Sequence, residues 1–263
     1  MYTRIKAIIW LHFLRLWRYR WSFLSMVLSM VLWVFITIMG VMLFIPKEQI
    51  QYAARETFWI ILAWNLITTN TWIIGGWMNF VTGQGITEQH FLCDVSPFRL
   101  LLGRVIPLIA VQIGSFIFMG LIFNDSFHTN VFQTQNIGWI LLGIVLLLVS
   151  GISYGLIIAS ISLKTSISGN FLEIFNFLLL GIFVVNPTNL PYSQKILFLL
   201  IPYTSQIQLI RVGLWGYTDP HMLIYPLCIS FIQSCIFVYM ARTSIRSAEN
   251  WVRKNGIKTV GWW

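Results

Sequence analysis

The sequence predicts an all-α integral membrane protein: six transmembrane helices, an N-terminal helix lying at the membrane interface, and short re-entrant helices on the outer side. Three observations carry that prediction. Apolar residues make up 57% of the 263 positions and charged residues 10%, against roughly 25% charged in soluble domains. Mean hydropathy is +0.77, and six apolar segments approach the roughly 20 residues that cross a bilayer core. The basic residues, finally, sit in short blocks beside those segments rather than in a stripe. A folded soluble domain of this length still leaves about a quarter of its surface exposed, too much to hide this apolar content. The composition excludes a secreted enzyme, a DNA-binding domain and a disordered tail.

Residues 1–20 form the first element. Ala7–Leu14 is too apolar for water and too short to span. At about 100° per residue, Arg4, Arg15 and Arg18 fall within roughly 60° of arc, as expected of an interfacial helix whose arginines meet anionic head groups. The transmembrane domain, 21–241, carries spans at Ser22–Ile45, Phe58–Val81, Leu100–Phe123, Ile137–Leu163, Phe171–Val185 and Met222–Met240. The first run is too long for a signal-peptide core and lacks a small-x-small cleavage pattern. The fifth span, about 15 residues, is short for a full crossing. It feeds 186–219, where Pro187, Pro191 and Pro202 surround the apolar stretch Ile196–Ile201. Broken helices returning into the membrane satisfy that pattern. Residues 242–263 are a polar, basic tail expected to be helical as far as Gly256.

Six spans place both termini on one side. That side carries Arg4, Lys6, Arg15, Arg18, Arg20, Arg99, Arg104, Lys164, Arg242, Arg246, Arg253, Lys254 and Lys258, thirteen in all. The other holds Lys47, Arg55, Lys195 and Arg211, four. The positive-inside rule then puts the termini in the cytoplasm of a plasma-membrane protein. Cys228 and Cys235, seven residues apart, would lie about 10 Å apart on a helix, too far for a disulfide. With Cys93 they read as packing residues.

Catalytic patterns are nearly empty. The chain has no phosphate-binding G-x-x-x-x-G-K-[ST] loop, no H-E-x-x-H and no G-x-S-x-G, so an enzymatic role is not expected and no cofactor or metal site is predicted. His12, His90, His128 and His221 are scattered. Glu173 is the acid inside a span. It reads either as a titratable pathway group or as a helix-start cap at the third helical position after Asn170. Asn65, Thr68, Thr69 and Trp72 in span two, with Gln112, Asn176 and Gln233 elsewhere, form either a partly polar substrate pathway or interhelical hydrogen bonds. Trp59 and Trp77, about 27 Å apart on a helix, match two interfacial belts. Gly151, Gly155 and Ala159 form a small-xxx-small face for close helix approach.

The most informative segment is Gly83–Arg104, GQGITEQHFLCDVSPFRLLLGR. A short helix from Ile86 to Cys93 would expose Glu88 and Gln89 with His90, Phe91 and Leu92 nearby. Ser96 would cap a new helix with Pro97 at its first position. Such a polar and aromatic knob between two spans suits docking on a soluble partner.

This loop resembles the G-x-x-E-Q-…-P-x-S-P-x-x-x-L-L-G-[KR] run of ABC-2 type ABC transporter permeases. Gly85, Glu88, Gln89, Pro97, Gly103 and Arg104 match it, while Asp94 stands where a first proline is common. The stretch Leu190–Gly216, ending I-P-Y-T-S-Q-I-Q-L-I-R-V-G-L-W-G, resembles the outer segment of the same family. Pro202, Arg211 and Gly216 match there, and Ile201 replaces the usual asparagine. A basic N-terminal helix before six spans is the third likeness.

The resemblance implies a type V exporter-like fold and a homodimer of two permease copies. It also implies two separate ATP-binding subunits, which would carry the ATP and Mg. Glu88–Leu92 would be the coupling helix, and the segment bearing Pro202, Arg211 and Gly216 the outer gate. The substrate would be amphipathic, drug-like, a lipid or a lipid-linked glycan, with membrane lipid the surrounding partner and nucleic acid not expected. Two other readings remain open. One is a lipid-modifying transferase built on Glu88, His90 and Asp94; the other is a proton-coupled carrier built on Glu173.

Overall fold

A computed structural model describes residues 2–42, 50–93, 95–165, 169–187, 191–216 and 221–256. Asp94, Lys47, Lys258, Leu190 and Asp219 lie outside the described residues. In chain order the helices are α1 (Tyr2–Arg18), α2 (Arg20–Met42), α3 (Ile50–Asn70), a π-helical turn (Thr71–Gly76), α4 (Trp77–Gly83) and α5 (Ile86–Leu92). They continue with α6 (Pro97–Phe127), α7 (Ile137–Ser162), α8 (Gly169–Val184), α9 (Tyr192–Leu200), α10 (Thr204–Trp215) and α11 (His221–Asn255). The described residues contain no strand.

Among the described residues four helices are long and apolar enough to cross a membrane: Ile50–Gly83, Pro97–Phe127, Ile137–Ser162 and Leu223–Asn255. A fifth candidate is the bent pair Gln194–Leu200 and Thr204–Trp215, which turns through 112°. By length and composition these helices suit an α-helical, multi-pass membrane protein. Two helices overrun the expected spans furthest. The second starts at Ile50 rather than Phe58, because Arg55 keeps its charge at a polar site, donating to Gln133 Oε1 at 2.9 Å. The last runs unbroken through the expected boundary at 241 to Asn255, so the basic tail continues the span as one helix. It stops at Gly256, whose φ of +71° is an ordinary helix-ending conformation for glycine.

The chain divides into two compact units, Met1–Ile61 with Ser96–Gln133 and Leu62–Val95 with Thr134–Trp263. In the first, α1 packs on α6 at a close approach. A Cβ on Gly103 would fall 2.3 Å from Ile8 Cγ2, and His12 Nε2–H donates to Leu100 O at 3.3 Å. The other side of α1 and the start of α2 leave Trp10, Trp17 and Trp21 exposed, with the Arg20 guanidinium 5.4 Å from the Trp17 ring centre. Aromatic rings fill the far end of this unit: Phe35 and Phe58 lie 5.9 and 5.7 Å from Phe123. Trp59, expected in an interfacial belt, is instead buried among them, its Nε1–H donating to Val131 O at 2.9 Å.

In the second unit α7 is the central strut. Its small-residue face meets the π turn as the Gly151–Ala159 spacing predicts. A Cβ on Gly155 would sit 2.9 Å from Asn70 O and 3.0 Å from Ile74 Cβ, and one on Gly151 3.7 Å from Ile67 Cα. The π turn follows side chains that bond back onto the helix carbonyls, Asn70 Nδ2 to Leu66 O at 2.7 Å and Thr71 Oγ1 to Ile67 O at 2.9 Å. Such bonds compete with the backbone ladder and bend helices. A second face of α7 takes α10: a Cβ on Gly143 would meet Gln206 O at 2.9 Å.

Candidate functional site

The loop singled out from sequence folds as a tethered knob. Gly85 (φ +69°) makes the turn out of α4, its N–H donating to Thr82 O at 3.1 Å. That φ favours glycine over any residue with a Cβ. Thr87, fully buried, lies with its hydroxyl 3.2 Å from that of Thr82, fixing α5 to α4. At the other end the Val95 N–H returns to His90 O at 2.8 Å. α5 ends at Leu92, one residue short of the expected Cys93, and exposes Glu88, Gln89 and Leu92 while Phe91 and His90 are half-buried. Leu92 is 86% exposed. Burial holds the His90 imidazole below its ordinary 6.5. Ser96 and Pro97 start α6 as expected, with Ser96 at the N-cap position and making no side-chain capping bond.

The second candidate region, from α8 to α10, is held by polar contacts that sequence reading caught only in part. Every residue of α10 from Thr204 to Leu214 is buried, although the helix carries Ser205, Gln206, Gln208 and Arg211. Buried polar groups are costly unless hydrogen-bonded, and most of these are. The Ser205 hydroxyl lies 2.9 Å from Gln233 Oε1 and 3.1 Å from Gln206 Oε1. Gln206 Nε2 reaches Ser150 Oγ at 3.5 Å, and Ser150 and Ser234 hydroxyls pair at 3.0 Å. Gln233 Nε2 turns the other way, to Leu199 O and Leu200 O, each at 3.1 Å. One chain of contacts thereby joins α7, α9, α10 and α11. Gln233 was a sequence candidate; Ser150, Ser205, Gln206 and Ser234 were not.

Arg211, 5% exposed, donates to Phe183 O at 2.8 Å and Val185 O at 2.9 Å, with Val184 O at 3.5 Å. Its positive charge thus rests on the carbonyl end of α8, the favourable end of the helix dipole for a cation. Gly216 closes α10 with φ +79°. Pro202 is exposed at the bend, beside Tyr203, a non-glycine residue at φ +71°. The Tyr203 ring is buried, stacked on Phe237 at 5.4 Å. Burial among aromatics stabilises a backbone conformation that otherwise costs about 1–3 kcal/mol.

The remaining sequence candidates lie on α3, the π turn, α6 and α8. Asn65, Thr68 and Thr69 satisfy one another along α3: Thr68 Oγ1 to Asn65 O at 3.1 Å and Thr69 Oγ1 to Asn65 Oδ1 at 3.0 Å. Trp72 is 39% exposed. Asn176 lies buried on α8, its carbonyl accepting from Trp64 Nε1 at 2.7 Å, while its carboxamide has no partner among the described residues. Gln112 is buried on α6, in the other unit, its amide likewise unpartnered. Glu173 is exposed at the fifth residue of α8, past the first turn, so its position does not support the helix-start cap. The three cysteines, read from sequence as packing residues with no disulfide between Cys228 and Cys235, are free thiols and exposed. Among the described residues no group of three or more His, Cys, Asp or Glu side chains could hold a metal ion. No family model, curated protein or solved structure matches this chain.

Proposed function

We propose that the chain is the membrane-spanning permease subunit of an ATP-driven exporter of the ABC-2 type, with six spans, both termini cytoplasmic, in the plasma membrane. The six-span reading adds α2, 23 residues, and α8, 16 residues, to the four long apolar helices. A second copy completes the pathway for an amphipathic or lipid-linked substrate, and ATP with Mg is bound by a separate subunit. The observation that carries the reading is α5. A seven-residue helix, anchored by the buried Thr87, holds Glu88, Gln89 and Leu92 outward on the connection between two long apolar helices. An exposed leucine rimmed by polar groups suits a docking surface for a soluble protein. The bent pair α9–α10, with Pro202, Arg211 and Gly216, is the outer gate of the same proposal. ATP drives such a machine only if the nucleotide subunits bind one conformer of the permease better than the other.

The test is substrate-stimulated ATP hydrolysis by the complex with its nucleotide-binding subunit. Leu92→Glu and Glu88→Ala should each leave basal hydrolysis intact and lower the stimulated component, by about tenfold for Leu92→Glu, the loss of an apolar anchor at an interface. Unchanged stimulation in both variants refutes the docking role of α5.

A further inference from the structure

A pocket of about 390 Å³ opens between the end of α7 and the middle of α11, lined by Ser160, Lys164 and Thr165 on one side and Thr243, Ser244 and Ser247 on the other. It carries one ammonium, no carboxylate and five hydroxyls, of which those of Ser160, Thr165 and Thr243 already donate to Leu156 O, Ile161 O and Met240 O. Lys164 Nζ donates to Ser247 Oγ at 2.9 Å, and among the described residues Lys164 makes no ion pair. An ammonium has three N–H donors, so two remain; Ser247, accepting from Lys164, keeps its own O–H to donate, and Ser244 supplies another. The carbonyl end of α7 favours a cation; the Lys164 ammonium meets that preference, and the amides of Lys164 and Thr165 both reach Ile161 O at 2.9 Å. Excess donors around one fixed positive charge, with no carboxylate among the lining groups, are complementary to a tetrahedral oxyanion. Glu249 lies about 200° around α11 from Ser247, away from the pocket.

Depth identifies the carrier of that anion. α7 ends at Ser162, and along α11 the apolar run gives way at Arg242 to a basic stretch. Just inside that level Ile161, Ile236, Tyr239 and Met240 are exposed, an apolar wall for an acyl chain. Basic pockets between transmembrane helices at this level suit lipid head groups. We infer that Lys164, Ser244 and Ser247 form a phosphate site that takes the head group of an anionic phospholipid. The inference needs only that α7 and α11 cross a bilayer, so it stands apart from the exporter reading.

The experiment is native mass spectrometry of the purified full-length chain with phosphatidylglycerol, phosphatidylcholine or inorganic phosphate, paired with thermal melting of each variant to confirm folding. Phosphatidylglycerol should bind the native chain in preference to phosphatidylcholine. Its retention should fall about fivefold in Lys164→Ala and in Ser244→Ala with Ser247→Ala, but not in Lys195→Ala. Lys164→Arg, which keeps the charge, should retain it. If millimolar inorganic phosphate binds in the same Lys164-dependent manner and displaces the lipid, the site reads phosphate from the water phase. Equal retention in the native chain and Lys164→Ala, or equal binding of the two lipids, overturns the site.

Discussion

Replacing Gly155 and Gly151 by alanine, one turn apart on the same face of α7, should move stability in opposite directions. At Gly155 the new Cβ would lie 2.9 Å from the carbonyl oxygen of Asn70 and 3.0 and 3.3 Å from Ile74 Cβ and Cδ1. The first obstacle is backbone at the entry to the π turn, which cannot rotate away, so the two helices must separate by several tenths of an ångström. Forcing a methyl into a packed contact typically costs about 1–3 kcal/mol, or a melting point lower by about 3–10 °C for a chain of this size. At Gly151 the Cβ would sit 3.7 Å from Ile67 Cα and 3.9 Å from Asn70 Nδ2, ordinary van der Waals contact. There alanine restricts the unfolded backbone without strain, worth about 0.4–1 kcal/mol, and the melting point should rise by about 1–3 °C. Thermal unfolding of both variants in the same detergent, followed by tryptophan fluorescence, measures the contrast. Equal shifts of the same sign would refute the close approach of α7 to the π turn.

Arg211→Met removes two short charge-assisted bonds and one long one to the end of α8. Offset by the desolvation it relieves, the loss should be about 2 kcal/mol, with Arg211→Lys intermediate; chemical denaturation in mixed micelles checks the order, and an unaltered Arg211→Met midpoint contradicts it. Acidification should loosen α1 from α6. Burial, aided by the charges of Arg104 and Arg15, pushes the docked His12 below its ordinary 6.5. A detached His12 therefore takes its proton first, and docking weakens as pH falls from about 6.5 toward the docked value, while above 6.5 it is flat. Proteolytic cleavage after Arg15 and Arg18 should accordingly accelerate between neutral and acid pH, and His12→Gln should abolish the His12 part of that acceleration.

The parts legible in the sequence are those whose partners are close in the chain. Gly85, Pro97 and the polar run between them delimit α5 because turn chemistry is local. The four-residue spacing of Gly151, Gly155 and Ala159 announces a contact face without naming its partner. Pro187, Pro191 and Pro202 mark a broken segment, and the 112° bend falls inside it. What escaped notice depends on distant residues. Ser150 and Ser234 are 84 positions apart and Ser205 and Gln233 are 28 apart, so each reads alone as a small polar residue tolerated in an apolar helix. Trp59 fits a belt by spacing and is buried because Val131, 72 residues later, accepts its N–H. Glu173 fails as a cap because the helix starts earlier than its N-F-L-E pattern suggests.

α10 poses a particular problem of cohesion, since burying it against lipid-facing helices gains little from the hydrophobic effect: acyl chains are as apolar as leucine. Close approach and hydrogen bonds must hold it instead. Gly213 provides the first, with Ile140 Cγ1 2.4 Å from where its Cβ would be, and its carbonyl accepts from the amides of Gln135 and Asn136 at 3.1 and 2.9 Å. The contacts through Ser150, Gln206, Ser205 and Gln233 provide the second. At about 0.6 kcal/mol for each interhelical side-chain bond, that network contributes on the order of 2 kcal/mol. Inverting a population from 1:99 to 99:1 takes about 5.5 kcal/mol of differential affinity. The side-chain network on its own is thus weaker than a strongly biasing ligand, whereas the glycine contacts and Arg211 add resistance that such a ligand must also overcome. A displacement of α10 would carry the end of α8 with it through Arg211, so these two helices should move as one body if they move at all.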